Sequence, residues 1–366
     1  MFENKKKTLL NFLYQHNNLP KQGSKEWLEN RKFTIGGSEM AVITGDNPFG
    51  TIKDLIKTKL GWKQFIGSPA TDWGKVFEPC AQLLLEKIFK CIIHETGSLP
   101  GCIEHTSYSP DGFATVRAET IHELYLKGLI KDHEIPGIGK CSELTNMQDE
   151  AINVVFEIKS PYKRIPKIDV PSYYIPQPLS ALSHFDFLDI AYFADILFRT
   201  CKYEDFDNLN YNKFIASDSY HNFDTVLYKG VIGFATENNN FNWVKSLDLG
   251  QLSQVNLESL FYSAVIENTQ VFHFDIDEPP KKCEEKLLDI CEKNDLNIIG
   301  ILPYKIYKLQ LTPIYRIPNY VQQFQQEINK FFSIINEINN SENAKKKFDE
   351  IFEIVESDDE EEIFVD

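Results

Sequence analysis

"VVFEIKSPYKRIP", residues 154–166, decides how the chain is read. It begins as a buried strand: Val154, Val155, Phe156 and Ile158 are apolar and β-prone. Glu157 and Lys159 interrupt the run, and Pro161 ends it. Strand side chains alternate between faces, so Val155, Glu157 and Lys159 share one face and Phe156 and Ile158 the other. The apolar pair anchors the strand while the charged pair projects side by side. Charges are rarely buried unless they are paired or coordinate something. A carboxylate is a hard oxygen ligand for magnesium or manganese, and a lysine beside it suits a polarised water or a phosphate. Taken alone, the triplet is the pattern of a strand at the protein edge with a solvated Glu and Lys on its outer face, since ExK triplets are common by chance.

Working outward, two further acids join it. Asp111 stands in a Pro110–Asp111–Gly112 turn just before the strand pattern "GFATVRAE". That tripeptide is also ordinary turn chemistry. Glu78, in "WGKVFEP", falls on the helical pattern of residues 71–90, where Phe77, Leu83, Leu84 and Ile88 recur at helical spacing. Pro79 inside that pattern marks a kink or the helix start. Three acids and a lysine are the parts of a metal-dependent phosphodiesterase.

Composition bounds the rest. The 366 residues are 42% hydrophobic, enough for one large domain or two smaller ones. The net charge is −16, so the surface as a whole repels nucleic acid. Much of the excess sits in "ESDDEEEIFVD", residues 356–366, which reads as a disordered acidic tail. A local basic phosphate site remains compatible with it. Seven cysteines without CxxC spacing argue against zinc and against a disulfide framework, and read as reduced thiols of an intracellular protein. No signal peptide and no membrane span are expected. His94, His105 and His122 lack metal-ligand spacing. The lysine runs at 5–7 and 345–347 read as solvated faces, and Trp27 and Trp73 as core.

Along the chain, residues 4–17 predict a helix with Leu9, Leu10, Phe12 and Leu13 on one side. Ser24 predicts an N-cap, and Ser38, after Gly36–Gly37, a second. "TIKDLIKTKLG" predicts a helix ended by Gly61. Strands are expected in "CIIHET", "GCIEHTSY", "GFATVRAE", "NVVFEIKS", "FLDIAYFADILF" and "FDTVLYKGVIGFA". A helix is expected after Pro178. Beyond residue 250 come "TQVFHFDI" and "GILPYKIYKLQL" as strands, and "EEKLLDICEK" and "YVQQFQQEINKFFSIINEI" as helices. The order implies an α/β or α+β fold with a mixed central sheet. No phosphate-loop glycine motif occurs.

The motifs "EWLENRKFTIGGSEMAVITGDNPF", "WGKVFEP", "SPDG", "FEIKSP" and "YYIPQ" occur in that order. Together they resemble the lambda-exonuclease-type, YqaJ-like viral recombinase family of the PD-(D/E)xK nuclease superfamily, in the version of large DNA viruses. The resemblance spans roughly residues 22–200. It implies a restriction-endonuclease-like core in residues 1–250 with an insert near 118–150, and an extension of the same domain over 251–355. It implies that Asp111, Glu157, Glu78 and the Ile158 carbonyl hold two Mg2+ or Mn2+ ions. Lys159 would serve the water, and Gln177, with Tyr174 in its segment, would orient groups at the site. Arg31, Ser38 and Ser109 would grip a 5′-terminal phosphate; their plainer readings are a surface ion pair for Arg31 and a helix cap for Ser38.

The implied activity is Mg2+-dependent 5′→3′ degradation of double-stranded DNA to mononucleotides, leaving 3′ overhangs for viral recombination, repair or genome processing. The alternatives are a structure-specific endonuclease or RNA nuclease on the same core, or a non-catalytic DNA-end-binding protein. The implied partners are DNA ends and a single-strand-annealing or other DNA-binding protein, with no membrane and in host cytoplasm. Phage relatives form trimers. The stretch between Asp111 and Glu157 is longer here, and as a hairpin or surface lobe it bears on the DNA channel and on that trimer.

Overall fold

The computed structural model describes residues 2–20, 22–63, 68–130, 151–208, 226–237 and 269–357. Most of the insert, Cys141, most of "ENNNFNW" and nearly all of the acidic tail lie outside the described residues.

Strand β5 (Ala151–Lys159) is inward-facing along almost its whole length. It lies inside a six-stranded sheet ordered β4-β5-β6-β9-β7-β8. The other strands are β4 (Gly112–Arg117), β6 (Ile190–Thr200), β7 (Tyr228–Thr236), β8 (Gln270–His273) and β9 (Asn297–Ile314). β5 pairs antiparallel with β4 and parallel with β6; β6 pairs antiparallel with β9. The sheet is therefore mixed, as the sequence implies. Its one parallel pair requires a crossover, supplied by residues 160–189.

The alternation read from residues 154–159 holds. Val154, Phe156 and Ile158 enter the larger core, and Val155 enters a second core on the opposite face. The larger core is covered by α5 (Pro69–Phe89), whose Trp73, Phe77, Leu84 and Phe89 meet Phe156, Tyr192 and Phe198. The second face is covered by α1 (Phe2–Gln15) and α7 (Pro176–His184), through Leu9, Leu179, Leu182 and Phe185. Strands buried on both faces read as continuous apolar runs, which explains "IAYFADILF". A third cluster joins α3 (Met40–Ile43) and α4 (Ile52–Lys59) to α9 (Gln325–Asn339) and α10 (Ala344–Ser357). Between them in sequence lie α2 (Lys25–Arg31), α6 (Ala118–Leu126) and α8 (Pro280–Asn294).

A small sheet is ordered β1-β3-β2, from β1 (Ile35–Gly36), β2 (Leu99–Pro100) and β3 (Thr106–Tyr108). Its register sets Gly36 against Ser107. This pairing brings the N-terminal segment to the end of the main sheet.

Several local expectations change. Ser38 is not a helix cap. Gly36 is the cap of a 3-10 turn, Gly37–Glu39, because the Glu39 carboxylate turns back and accepts from the Gly36 N–H at 2.8 Å. "CIIHET" makes only the isolated bridge of His94 to Phe113; the Ile93 N–H, which faces away from β4, is taken by the Glu86 carboxylate. "GCIEHTSY" shrinks to Thr106–Tyr108 because His105 has φ 60°. The insert opens as a helix, α6. Helix α7 starts at Pro176, before Pro178, since first-turn N–H groups have no helical acceptor to lose. Leu10 is 40% exposed, off the stripe of Leu9, Phe12 and Leu13. Pro79 lies inside α5 rather than at its start. In that turn the half-buried His273 ring donates to the Val76 carbonyl at 3.0 Å.

Phe77 is the centre of this packing. Its ring lies 4.4 Å from Trp73, 4.8 Å from Phe198 and 5.6 Å from Tyr304. Phe77→Ala is expected to cost about 3–5 kcal/mol, read as a lowered midpoint in urea unfolding.

Candidate active site

Three pieces of chain meet at the end of β4 and β5. Gly112 pairs with Phe156, so Asp111, one residue earlier, comes beside Glu157, one residue later. Asp111 Oδ2 accepts from the Ile158 N–H at 2.7 Å. This bond locks the Pro–Asp–Gly turn onto the charged end of β5. Lys159 Nζ donates to Glu157 Oε1 and lies 3.9 Å from Asp111 Oδ2. Glu78 reaches the same place from α5.

The surroundings are a cavity of about 240 Å³. Glu78, Asp111, Ile158, Lys159 and Gln177 line it together with Arg31, Ser38 and Ser109. Glu157 is the exception. It is 0% exposed and stands behind this wall, where the Tyr108 hydroxyl donates to its Oε2 at 3.1 Å. The edge-strand alternative for Glu157 and Lys159 is thereby overturned, because β5 has a neighbour on each side.

The wall around Arg31 is built by contacts that the sequence did not reveal. The Arg31 guanidinium lies 4.7 Å from the Trp27 ring and 3.1 Å from Glu39 Oε1, and its Nη2 donates to Ser38 Oγ at 3.4 Å. Trp27 Nε1 donates to Ser109 Oγ at 3.1 Å. Trp27 is buried as expected of a core residue, yet it lines the cavity and ties Arg31 to Ser109. Below them Lys59 Nζ donates to Glu39 Oε2, to the Arg31 carbonyl and to the Thr34 carbonyl, each at 2.7 Å. Burial alone would raise the Glu39 carboxyl; Lys59 and Arg31 outweigh it and hold that group below its ordinary value. Gln82, one helical turn after Glu78, donates to the Asp111 carbonyl at 2.9 Å.

Two glycines are fixed by space. A Cβ on Gly37 would lie 2.6 Å from the buried Tyr108 ring, and one on Gly112 would lie 2.2 Å from the Ile93 side chain.

The electrostatics are unbalanced. Three carboxyls share one lysine. Burial, then the Asp111 charge, push Glu157 up to about 8 against the pull of Lys159. Burial and Asp111 likewise raise Glu78 to about 8. Burial raises Asp111, although Lys159 and the Ile158 N–H oppose it. Burial disfavours the Lys159 charge, but Glu157 and Asp111 outweigh that and hold the ammonium above its ordinary range. With all three acids ionised the pocket carries surplus negative charge, and its donors are hard oxygens. Both features fit a divalent cation. Among the described residues no three His, Cys, Asp or Glu side chains stand close enough to form a ready-made metal cluster. The register of β4 and β5 brings Asp111 beside Glu157 and the Ile158 carbonyl, and Glu78 lines the same cavity.

Residues 26–183 match the YqaJ-like viral recombinase domain, in agreement with the resemblance carried by the five motifs. Proteins of African swine fever virus align over nearly the whole chain. One from a Malawi tick isolate is 24% identical over 340 residues, 91% of each chain. One from the Badajoz strain is 24% identical over 343 residues, again 91% of each. An alkaline exonuclease from Laribacter hongkongensis is a distant structural likeness. It has 12% identity and a TM-score of 0.37 over 91% of this chain and 100% of that one; its complex with dAMP scores 0.38. Among the described residues no helix is long and apolar enough to cross a membrane.

The charge surplus has a measurable consequence. A carboxyl raised from its unfolded 4.5 to about 8 favours the protonated native form, so without a divalent cation stability falls as pH rises between those values. Mg2+ or Mn2+ is expected to raise the melting temperature by about 4 °C or more at pH 8.5 and by little at pH 5. Glu157→Gln is expected to flatten the pH dependence in calorimetric scans.

Proposed function

We propose that the chain is a metal-dependent nuclease that degrades double-stranded DNA from 5′-phosphorylated ends. The single observation that carries this is the convergence, on one cavity, of Asp111, the charged end of β5 and the Arg31–Ser38–Ser109 cluster. The YqaJ-like recombinase domain over residues 26–183 supports a role in viral DNA metabolism.

In this reading Asp111, Glu157, Glu78 and the Ile158 carbonyl hold one or two divalent cations. When bound, Mg2+ or Mn2+ supplies a polarised water and neutralises charge on the scissile phosphate. The protein does the rest. Arg31 presents a planar fork, stacked on Trp27, to a terminal phosphate. The Ser38 and Ser109 hydroxyls add neutral donors beside it. These groups contact the backbone only, so cleavage is expected to be indifferent to base sequence. An end-gripping pocket next to the hydrolytic residues gives 5′→3′ progress by release of mononucleotides.

Lys159 keeps its proton through the ordinary pH range, since two carboxylates face it. It therefore acts as a donor to a phosphate oxygen or to the attacking water, not as the base that takes the water's proton. Tyr108 fixes one Glu157 oxygen and leaves the other for Lys159 or a cation. Gln177, at the start of α7, lies against Gly37 and completes the wall.

The test is digestion of end-labelled linear DNA, with and without Mg2+, beside closed circular DNA and RNA. Wild-type protein is expected to release mononucleotides from 5′-phosphorylated ends only. Glu157→Gln and Lys159→Ala are each expected to lose at least about 100-fold in rate while keeping their fold. Arg31→Ala is expected to lose the preference for a 5′-phosphate over a 5′-hydroxyl. Undiminished digestion by both the Glu157 and Lys159 variants would show the site to be misassigned, and rapid cutting of closed circles would replace the exonuclease with an endonuclease.

A further inference from the structure

Beside the cavity stands a row of aromatic rings that starts on the second core and runs out beyond anything the cores account for. Its outer member is Phe49, 80% exposed in the loop before α4. A phenylalanine so placed loses the burial that would repay its apolar surface. Its loop is nevertheless shaped: the Phe49 N–H donates to Asn47 Oδ1 at 2.8 Å. The Phe49 ring lies 5.2 Å from Tyr173, edge to face at 85°. Tyr173 lies 4.4 Å from Tyr174. Tyr174 is the anchored foot. It packs 5.4 Å from Phe193 of β6, with Lys159 Nζ 5.4 Å and the Arg164 guanidinium 5.8 Å from its ring. Arg164 is itself held by Asp195, at 2.5 Å. The row thus runs from solvent to the lysine that lines the cavity.

The chemistry of such a row is specific. Purine and pyrimidine rings have flat π-faces that stack on aromatic side chains whatever the base. Cations near the foot suit the backbone that carries those bases. A paired duplex end hides its base faces in its own stack, so only unpaired bases can use the row.

We propose that Phe49, Tyr173 and Tyr174 form a stacking ladder for the unpaired nucleobases of the strand end that enters the cavity. The ladder deepens the nuclease reading and rests on it for the identity of the ligand. Phe49 and Tyr173 are the rungs that take bases, and Tyr174 positions them relative to Lys159. Stacking there offsets the cost of fraying the last base pairs, so the terminal phosphate reaches Arg31 while its bases are held aside.

The probe is a 5′-phosphorylated single-stranded oligonucleotide carrying 2-aminopurine at its first positions, with calcium replacing magnesium to stop turnover. Wild-type protein is expected to quench the 2-aminopurine. Phe49→Ala opens no core, and is expected to abolish most of the quenching and weaken binding about 5- to 100-fold. Phe49→Trp is expected to restore both, which a merely structural role for Phe49 would not produce. Quenching and affinity unchanged in Phe49→Ala overturn the ladder. Parallel digestion of linear DNA in magnesium separates the two ideas. Wild-type cleavage with unchanged quenching in Phe49→Ala sinks the ladder alone. Quenching lost in Phe49→Ala while wild-type protein cuts no DNA sinks the nuclease reading and leaves a stacking site for unpaired bases.

Discussion

The hydrogen bond from the Ile158 N–H to Asp111 Oδ2 is the contact on which the rest of the cavity depends. It joins the turn before β4 to the last residues of β5 where the ladder between those strands ends. One buried carboxylate is satisfied by backbone, and the same bond aims the turn at Glu157 and Lys159. A buried charge without partners is expensive, so each acid here has its own device. Asp111 has the backbone N–H, Glu157 has Tyr108 and Lys159, and Glu78 is left to the cavity. One ammonium cannot balance three ionised carboxylates, and that deficit is the feature of the pocket that fits a small, highly charged cation.

The opposite wall is a problem in rigidity. Arg31 ends a helix of seven residues, which has little stability of its own. It is held instead by the buried Lys59, whose three donors clamp two carbonyls of the Arg31–Thr34 turn and the Glu39 carboxylate. Glu39 in turn faces the guanidinium and closes the Gly36 turn. The indole of Trp27 covers one side. A fork held in this way loses little rotamer entropy when an anion arrives. The small sheet then sets the assembly in register with the turn that carries Ser109 and Asp111.

Much of this was legible in the sequence. Period-two alternation in residues 154–159 placed Glu157 and Lys159 on one face, because nothing in a strand competes with that geometry. Ordered motifs named Asp111, Glu78, Arg31, Ser38, Ser109 and Gln177, and the structure brings all of them to one cavity. What was hidden is tertiary. Nothing in the sequence singles out Lys59 or Glu39, and only the fold shows Lys59 buried and the two paired. Tyr108 reads as a strand aromatic and Trp27 as core. Ser38 was misread because the competing cap, a Glu39 carboxylate returning to Gly36, requires no side chain at the capping position.

Strand β9 holds a further consequence. It comes from Asn297–Ile314, yet it sits between β6 and β7 and pairs with both. On an emerging polypeptide, β6 shows the ribosome-proximal solvent a bare row of amide and carbonyl groups until some hundred residues later in synthesis. Every residue of the cavity wall lies before that point. The charged groups of the cavity are therefore translated early but braced late, and a nascent chain of this kind exposes an open sheet edge before its cavity is complete.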